Sequence, residues 1–152
     1  MNENLIVIIY VDDILIYGRD DKTIDIFIEN MKNEDVALHR EGTAEGYLGV
    51  DIQYDGDGDD RTITFKQEGL TKCIISALGL DSKTSTPVET PAEKAALGRH
   101  LDQQAASGFI NYASVVGMLL YLGHSRPDIS FATHQCARYT HFPKQAHEDA
   151  LI

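Results

Sequence analysis

The segment "NLIVIIYVDDILIYG", residues 4–18, sets two β-rich apolar runs on either side of two adjacent aspartates. Branched and aromatic side chains favour the pleated strand, and a short acidic break between two such runs reverses the chain. The segment therefore predicts a β-hairpin with Asp12 and Asp13 at or beside its tip. Its longest apolar stretch, "LIVIIYV", is too short to cross a bilayer and runs straight into the two carboxylates, so no membrane partner is expected. The first residues also lack the basic lead and apolar stretch of a secretory signal. Cys73 and Cys136 lie far apart with no paired spacing, which reads as free thiols in a reducing, intracellular compartment; cytoplasm and nucleus stay undistinguished.

Beyond the hairpin, "DDKTIDIFIENMKNE" brings Ile24, Phe27, Ile28 and Met31 to one face of a helix, with Asp20 or Asp21 as its cap. "VALH" reads as a short strand, and "EGYLGVDIQY" and "RTITFKQ" as two more, joined by the turn "DGDGDD". From Glu68 the period changes to that of a helix. "EGLTKCIISALGL" places Leu70, Cys73, Ile74, Ala77 and Leu78 together, with Gly79 as a stop signal. Residues 81–108 read as a long Ser-, Thr-, Pro- and Ala-rich connection, a kind of segment that is often functional or mobile. Helices are expected over "FINYASVVGMLLYLG" and "PDISFATHQCARYTH", packing Val115, Leu119 and Leu122 against Ile129, Phe131 and Ala132. A last helix begins near Pro143 and reads as cut by the end of the chain. The expectation is an α+β chain: a β-rich unit over residues 1–67 and a helical unit over 68–152.

Charge divides the same way. Residues 1–66 hold 16 acidic and 6 basic side chains, a net of −10 within a total of −11. Phosphate neutralisation dominates nucleic-acid affinity, and no basic patch stands out here. A nucleic-acid role would borrow positive charge from elsewhere or act through metal ions.

Adjacent carboxylates at a hairpin tip repel each other unless a cation lies between them. Magnesium and manganese prefer such hard oxygen ligands, and two such ions can activate a hydroxyl and stabilise a leaving oxygen in phosphoryl transfer. Aspartate is also a common turn residue, so Tyr10-Val11-Asp12-Asp13 alone favours a plain turn. The flanking strands and the following amphipathic helix change that balance: the arrangement resembles the signature hairpin of reverse transcriptases. The resemblance to copia-type retrotransposon reverse transcriptases then extends along most of the chain. "YLGVDI" at 47–52 is similar to the family's FLGI-type strand, "TFKQEGLTKCIISALGL" to its entry into the thumb, and "STP" at 85–87 to its connection. "YASVVGMLLYLGHSRPDISFA" is close to its YRSLVGSLLYL…TRPDISFA block.

The resemblance implies a partial palm, built of antiparallel hairpins with a helix, followed by an all-helical thumb. It implies Asp12 as principal metal ligand and Asp13 as second carboxylate for Mg2+ or Mn2+, with Tyr10 and Val11 near the primer terminus. Tyr47, Leu48 and Gly49 would form the primer grip, and Gly117 and Tyr121 would lie against the minor groove; ordinary helix packing is an equal reading of that last pair. The implied partners are an RNA or DNA template-primer, deoxynucleotides, the fingers and palm half that would precede this segment, and the RNase H domain that would follow. A further essential aspartate of such enzymes has no counterpart in "MNENLIVII", so the chain tested alone is expected to be inactive.

Two other readings stay open: a non-catalytic remnant, and an acidic cation-binding or interaction module built on "DGDGDD". Asp55, Asp57 and Asp59 have calcium-loop spacing, but Asp60 and Lys66 stand where such a loop needs glycine and glutamate, which favours a solvated turn. Arg126 and Asp128 read as a local ion pair at a helix start. His134, Cys136, His141 and His147 match no zinc spacing and read as surface or core residues.

Overall fold

A computed structural model of the chain describes residues 5–56, 58–80, 88–92, 96–99, 102 and 104–152, the Asp59 side chain excepted. The fold is α+β and divides into two compact units, Met1–Phe65 and Lys66–Ile152.

The N-terminal unit opens with the expected hairpin. Strands β1 (Ile6–Tyr10) and β2 (Asp13–Tyr17) pair antiparallel from Ile6 opposite Tyr17 to Tyr10 opposite Asp13, which leaves Val11 and Asp12 as the turn. Helix α1 (Asp21–Asn33) follows, and the Asp20 carboxylate caps it by accepting from Thr23 N at 2.8 Å. Ile24, Phe27, Ile28 and Met31 are the half-buried stripe that the period predicts, yet no residue of α1 is fully buried. The strand expected over "VALH" does not form: residues 36–39 are irregular. The strand expected over "EGYLGVDIQY" is instead a second tight hairpin. Strand β3 (Gly46–Tyr47) pairs antiparallel with β4 (Val50–Asp55), and β5 (Thr62–Lys66) is the third strand of that sheet. Leu48 and Gly49 make the turn with φ of 51° and 74°, two left-handed residues in succession as a type I′ turn requires.

The C-terminal unit holds the hydrophobic core. Helix α2 (Glu68–Ala77) and its cap supply buried Ile74 and Leu78, and helix α3 (Tyr112–Leu122) supplies Val115 and Leu122; Ile110 completes the cluster. Cys73 and Ala77, expected on the same face of α2, are exposed. Helix α4 (Ser130–Ala137) follows a 3-10 turn at Pro127–Ile129 and buries Thr133 and Cys136. Ile129 packs on the core as expected, but Phe131 is 68% exposed, because the buried side of α4 runs through Ile129, Thr133 and Cys136 at helical spacing. The last helix, α5 (Gln145–Asp149), ends before the last residue rather than running to it. Of the long connection, residues 81–87, 93–95, 100, 101 and 103 lie outside the described residues, whereas Leu97, Ala105 and Ala106 are tied down. Ala105 bridges Lys144, Ala106 N donates to Pro143 O at 3.1 Å, and Tyr139 Oη donates to Leu97 O at 2.7 Å.

Candidate functional site

Both hairpins of the N-terminal unit open onto one broad cleft of about 890 Å3. Asp12, Asp13 and β2 line one part of it; His39 to Gly42 and the Tyr47-Leu48-Gly49 turn line another. The sequence treats these as two separate motifs, and the fold brings them to the same cavity. Asp12 lies in the turn and Asp13 opens β2, so the two carboxylates leave the backbone one residue apart from a strand-anchored tip. Both are exposed, and among the described residues neither is ion-paired. Tyr10 and Val11 are exposed as well, Val11 at 81%. Val11 also has φ of 51°, a conformation that a β-branched residue rarely adopts.

The wall between the hairpins is held by a residue that motif reading passes over. The Arg40 guanidinium donates to Asp21 at 2.7 Å and to Asp25, carboxylates one helical turn apart on α1. Those two acids beside it raise the Arg40 pKa. The only sequence signal was the spacing of Asp21 and Asp25, which puts both on one face of the helix. Tyr47 is half-buried in the cleft, and its hydroxyl is enclosed without a hydrogen-bond partner among the described residues.

Hard oxygen donors such as these two carboxylates are the type that a divalent cation like magnesium prefers. No group of three metal-ligating side chains occurs among the described residues. In the acidic turn, Asp57 and the Asp59 side chain lie outside the described residues, and Asp55 and Asp60 are exposed.

Gly117 and Tyr121 share an exposed face of α3. A Cβ at Gly117 would meet no described atom within 4 Å. Arg126 and Asp128 form the expected ion pair, with two contacts at 2.7 and 2.9 Å, and the guanidinium lowers the Asp128 pKa. The histidine and cysteine set does not converge. His134 Nδ1 bonds Ser130 O at 2.7 Å, and burial raises the Cys136 thiol pKa. His147 is wholly buried: its Nδ1 accepts from Lys144 N, its Nε2 contacts Gly98 O at 2.8 Å, and its ring stacks on Tyr139.

Comparison with known proteins finds similarity along most of the chain. The chain is 28% identical, over 95% of its length, to the Retrovirus-related Pol polyprotein from transposon RE1 of Arabidopsis thaliana. It is 27% identical to that from transposon RE2 of the same plant, and 26% identical to that from transposon TNT 1-94 of Nicotiana tabacum, over 95% and 99% of its length. The chain is related to the Pol polyproteins of copia-type retrotransposons. It spans 9% of the first two Pol relatives and 11% of the third. It is also 28% identical to an uncharacterized mitochondrial protein of Arabidopsis thaliana, of which it spans 57%. No family model and no solved structure matches this Pol-related chain. Among the described residues, no helix is long and apolar enough to cross a membrane.

Proposed function

We propose that the chain is the part of a retrotransposon reverse transcriptase that carries the metal-binding hairpin, the primer grip and the thumb. The observation that carries this reading is the shared cleft, in which the YVDD turn and the Tyr47-Leu48-Gly49 turn line one cavity. In the complete enzyme, Asp12 and Asp13 would hold magnesium or manganese together with a carboxylate from elsewhere in the polyprotein. Such ions supply activation of the attacking hydroxyl and charge stabilisation at the leaving oxygen. Tyr10 and Val11 flank the primer terminus. The second turn orients the primer, so that its 3′-hydroxyl forms a bond to the α-phosphorus of a deoxynucleotide as the bond to pyrophosphate breaks. Exposed Gly117 and Tyr121 form the thumb face toward the minor groove of the template-primer.

The test is primer extension on an RNA template with magnesium or manganese. The chain is combined with the upstream fingers-and-palm portion of a related Pol polyprotein. Extension is expected only when both parts are present, and Asp12→Asn abolishes it. Extension that survives Asp12→Asn, or none from any combination while an intact Pol control extends, rejects the reading.

A further inference from the structure

We infer that residues 36–45 form a strap along the cleft of the N-terminal unit, held in place by one reversible ionic latch, Arg40 on Asp21 and Asp25. Every residue from Ala37 to Glu45 lines the cleft, so the strap is one of its walls. It is irregular between α1 and β3 and is fixed at each end by a backbone bond. Val36 N donates to Met31 O in the last turn of α1 at 3.0 Å, and Glu45 O accepts from Ile52 N at 2.8 Å. Between those anchors the Arg40 guanidinium donates to Asp21 at 2.7 Å and to Asp25. No other residue from Ala37 to Ala44 has a hydrogen-bond or ion-pair partner among the described residues.

Burial adds little to this hold. Leu38 and Ala44 are half-buried, and every other residue from Val36 to Glu45 is exposed. Asp35, at φ of 61°, turns the chain off α1, and Gly42, at φ of 102°, stands where a Cβ would meet no described atom within 4 Å. A segment with few apolar contacts, anchored at its ends and at one side chain between them, opens at low cost.

Charge makes the latch reversible and gives it a signature. Arg40, Asp21 and Asp25 are all exposed, and ion pairs between exposed groups are weak and screened by salt. Arg40 is the strap's only lysine or arginine. Without it the strap carries Glu41 and Glu45 beside a helix that begins with Asp21 and Asp25, so like charges then oppose docking. Residues 1–66 have a net charge of −10, so salt lessens their mutual repulsion and stabilises the unit as a whole. Loosening of the strap by salt therefore reports the latch, because general opening would run the other way. The strap leads directly into β3 and the Tyr47-Leu48-Gly49 turn, so its release widens the cleft beside that turn. The latch acts as a gate on the cleft whether or not the chain belongs to a polymerase.

The experiment is double electron–electron resonance on the full chain in a Cys73→Ser background, which leaves only the buried Cys136. Nitroxides on Thr43→Cys in the strap and Asn30→Cys on α1 read the strap, and a control pair on Asn30→Cys and Asp51→Cys reads the rest of the unit; all three positions are exposed. Raising NaCl from about 0.1 to about 1 M shortens the screening length from about 10 to about 3 Å, and with Arg40 present the displaced fraction of the strap is expected to rise roughly twofold or more. Arg40→Gln is displaced already at low salt and gains nothing from more. Arg40→Lys, a point charge in place of a planar fork, falls between the two. The control pair keeps its distance throughout. A strap that ignores salt with Arg40 present, an Arg40→Gln strap that stays in place, an Arg40→Lys strap as displaced as Arg40→Gln, or a control pair that shifts in step with the strap overturns the inference.

Discussion

Glu148 shows how a single residue holds the helical unit together. It is 2% exposed, and its carboxylate accepts from Ser107 N, Ser107 Oγ and Ile110 N at 2.8, 2.6 and 3.1 Å. The Ser107 hydroxyl foremost, then these backbone N–H groups, lowers its pKa below the ordinary 4.5. A depressed carboxylate contributes stability that is present above its unfolded pKa and is lost as pH falls through the folded one. Thermal melts of wild type should therefore fall on acidification below about pH 4, near the unfolded glutamate value. Glu148→Gln should flatten that dependence and cost about 2 kcal/mol at neutral pH, the scale of a buried charge-assisted hydrogen bond. An unchanged pH profile in the variant would show that the carboxylate does not tie the connection to α5. Neither Glu148 nor His147 was legible in the sequence. Both stand in a five-residue polar helix, and their burial depends on partners 38 to 49 residues away, which no local period reports.

At the level of elements, the sequence was readable where one period held over a whole segment. Ile24, Phe27, Ile28 and Met31 recur at helical spacing, and the two apolar runs around Asp12 and Asp13 left no other economical reading than a hairpin. It was unreadable where the backbone changed direction inside an apolar run. Leu48 lies in "YLGVDI" like a strand residue, but its φ of 51° makes it a turn residue, and leucine is not a turn-former. The two candidate halves of the cleft were thus visible as motifs, but their convergence was not. The phase of α4 was misjudged for a related reason: Phe131 is its most hydrophobic residue and yet faces outward, while Thr133 and Cys136 face in. Urea melts should separate these cases. Leu122→Ala, which empties part of the core, should cost about 2–5 kcal/mol. Phe131→Ala should change stability by less than about 0.5 kcal/mol, as exposed positions do. A large loss at Phe131 would mean that a neighbouring surface covers it.

Across the whole molecule, core and candidate chemistry are in different places. Ile52 is the sole fully buried hydrophobic residue described in the N-terminal unit, while the C-terminal unit holds both packed clusters. A two-stranded hairpin is marginal by itself, and a unit with one buried apolar side chain gains little from burial to offset the entropy of ordering its chain. The same unit concentrates the negative charge, whose self-repulsion further favours opening. Local opening should therefore be unequal. In native-state hydrogen exchange, amides of β1, β2 and α1 should exchange by low-energy opening, and those of α2 and α3 only near global unfolding. A divalent cation held by Asp12 and Asp13 binds the closed hairpin better than the open one and must raise its protection by mass action. Adding millimolar magnesium should slow exchange at the ladder amides of Ile6, Ile8 and Leu15 in wild type, a site-specific effect that Asp12→Asn removes. Sodium chloride of matched ionic strength should slow both proteins alike, because screening needs no particular carboxylate. Equal protection by the two salts, or an undiminished magnesium effect in Asp12→Asn, would leave the tip as an ordinary acidic turn.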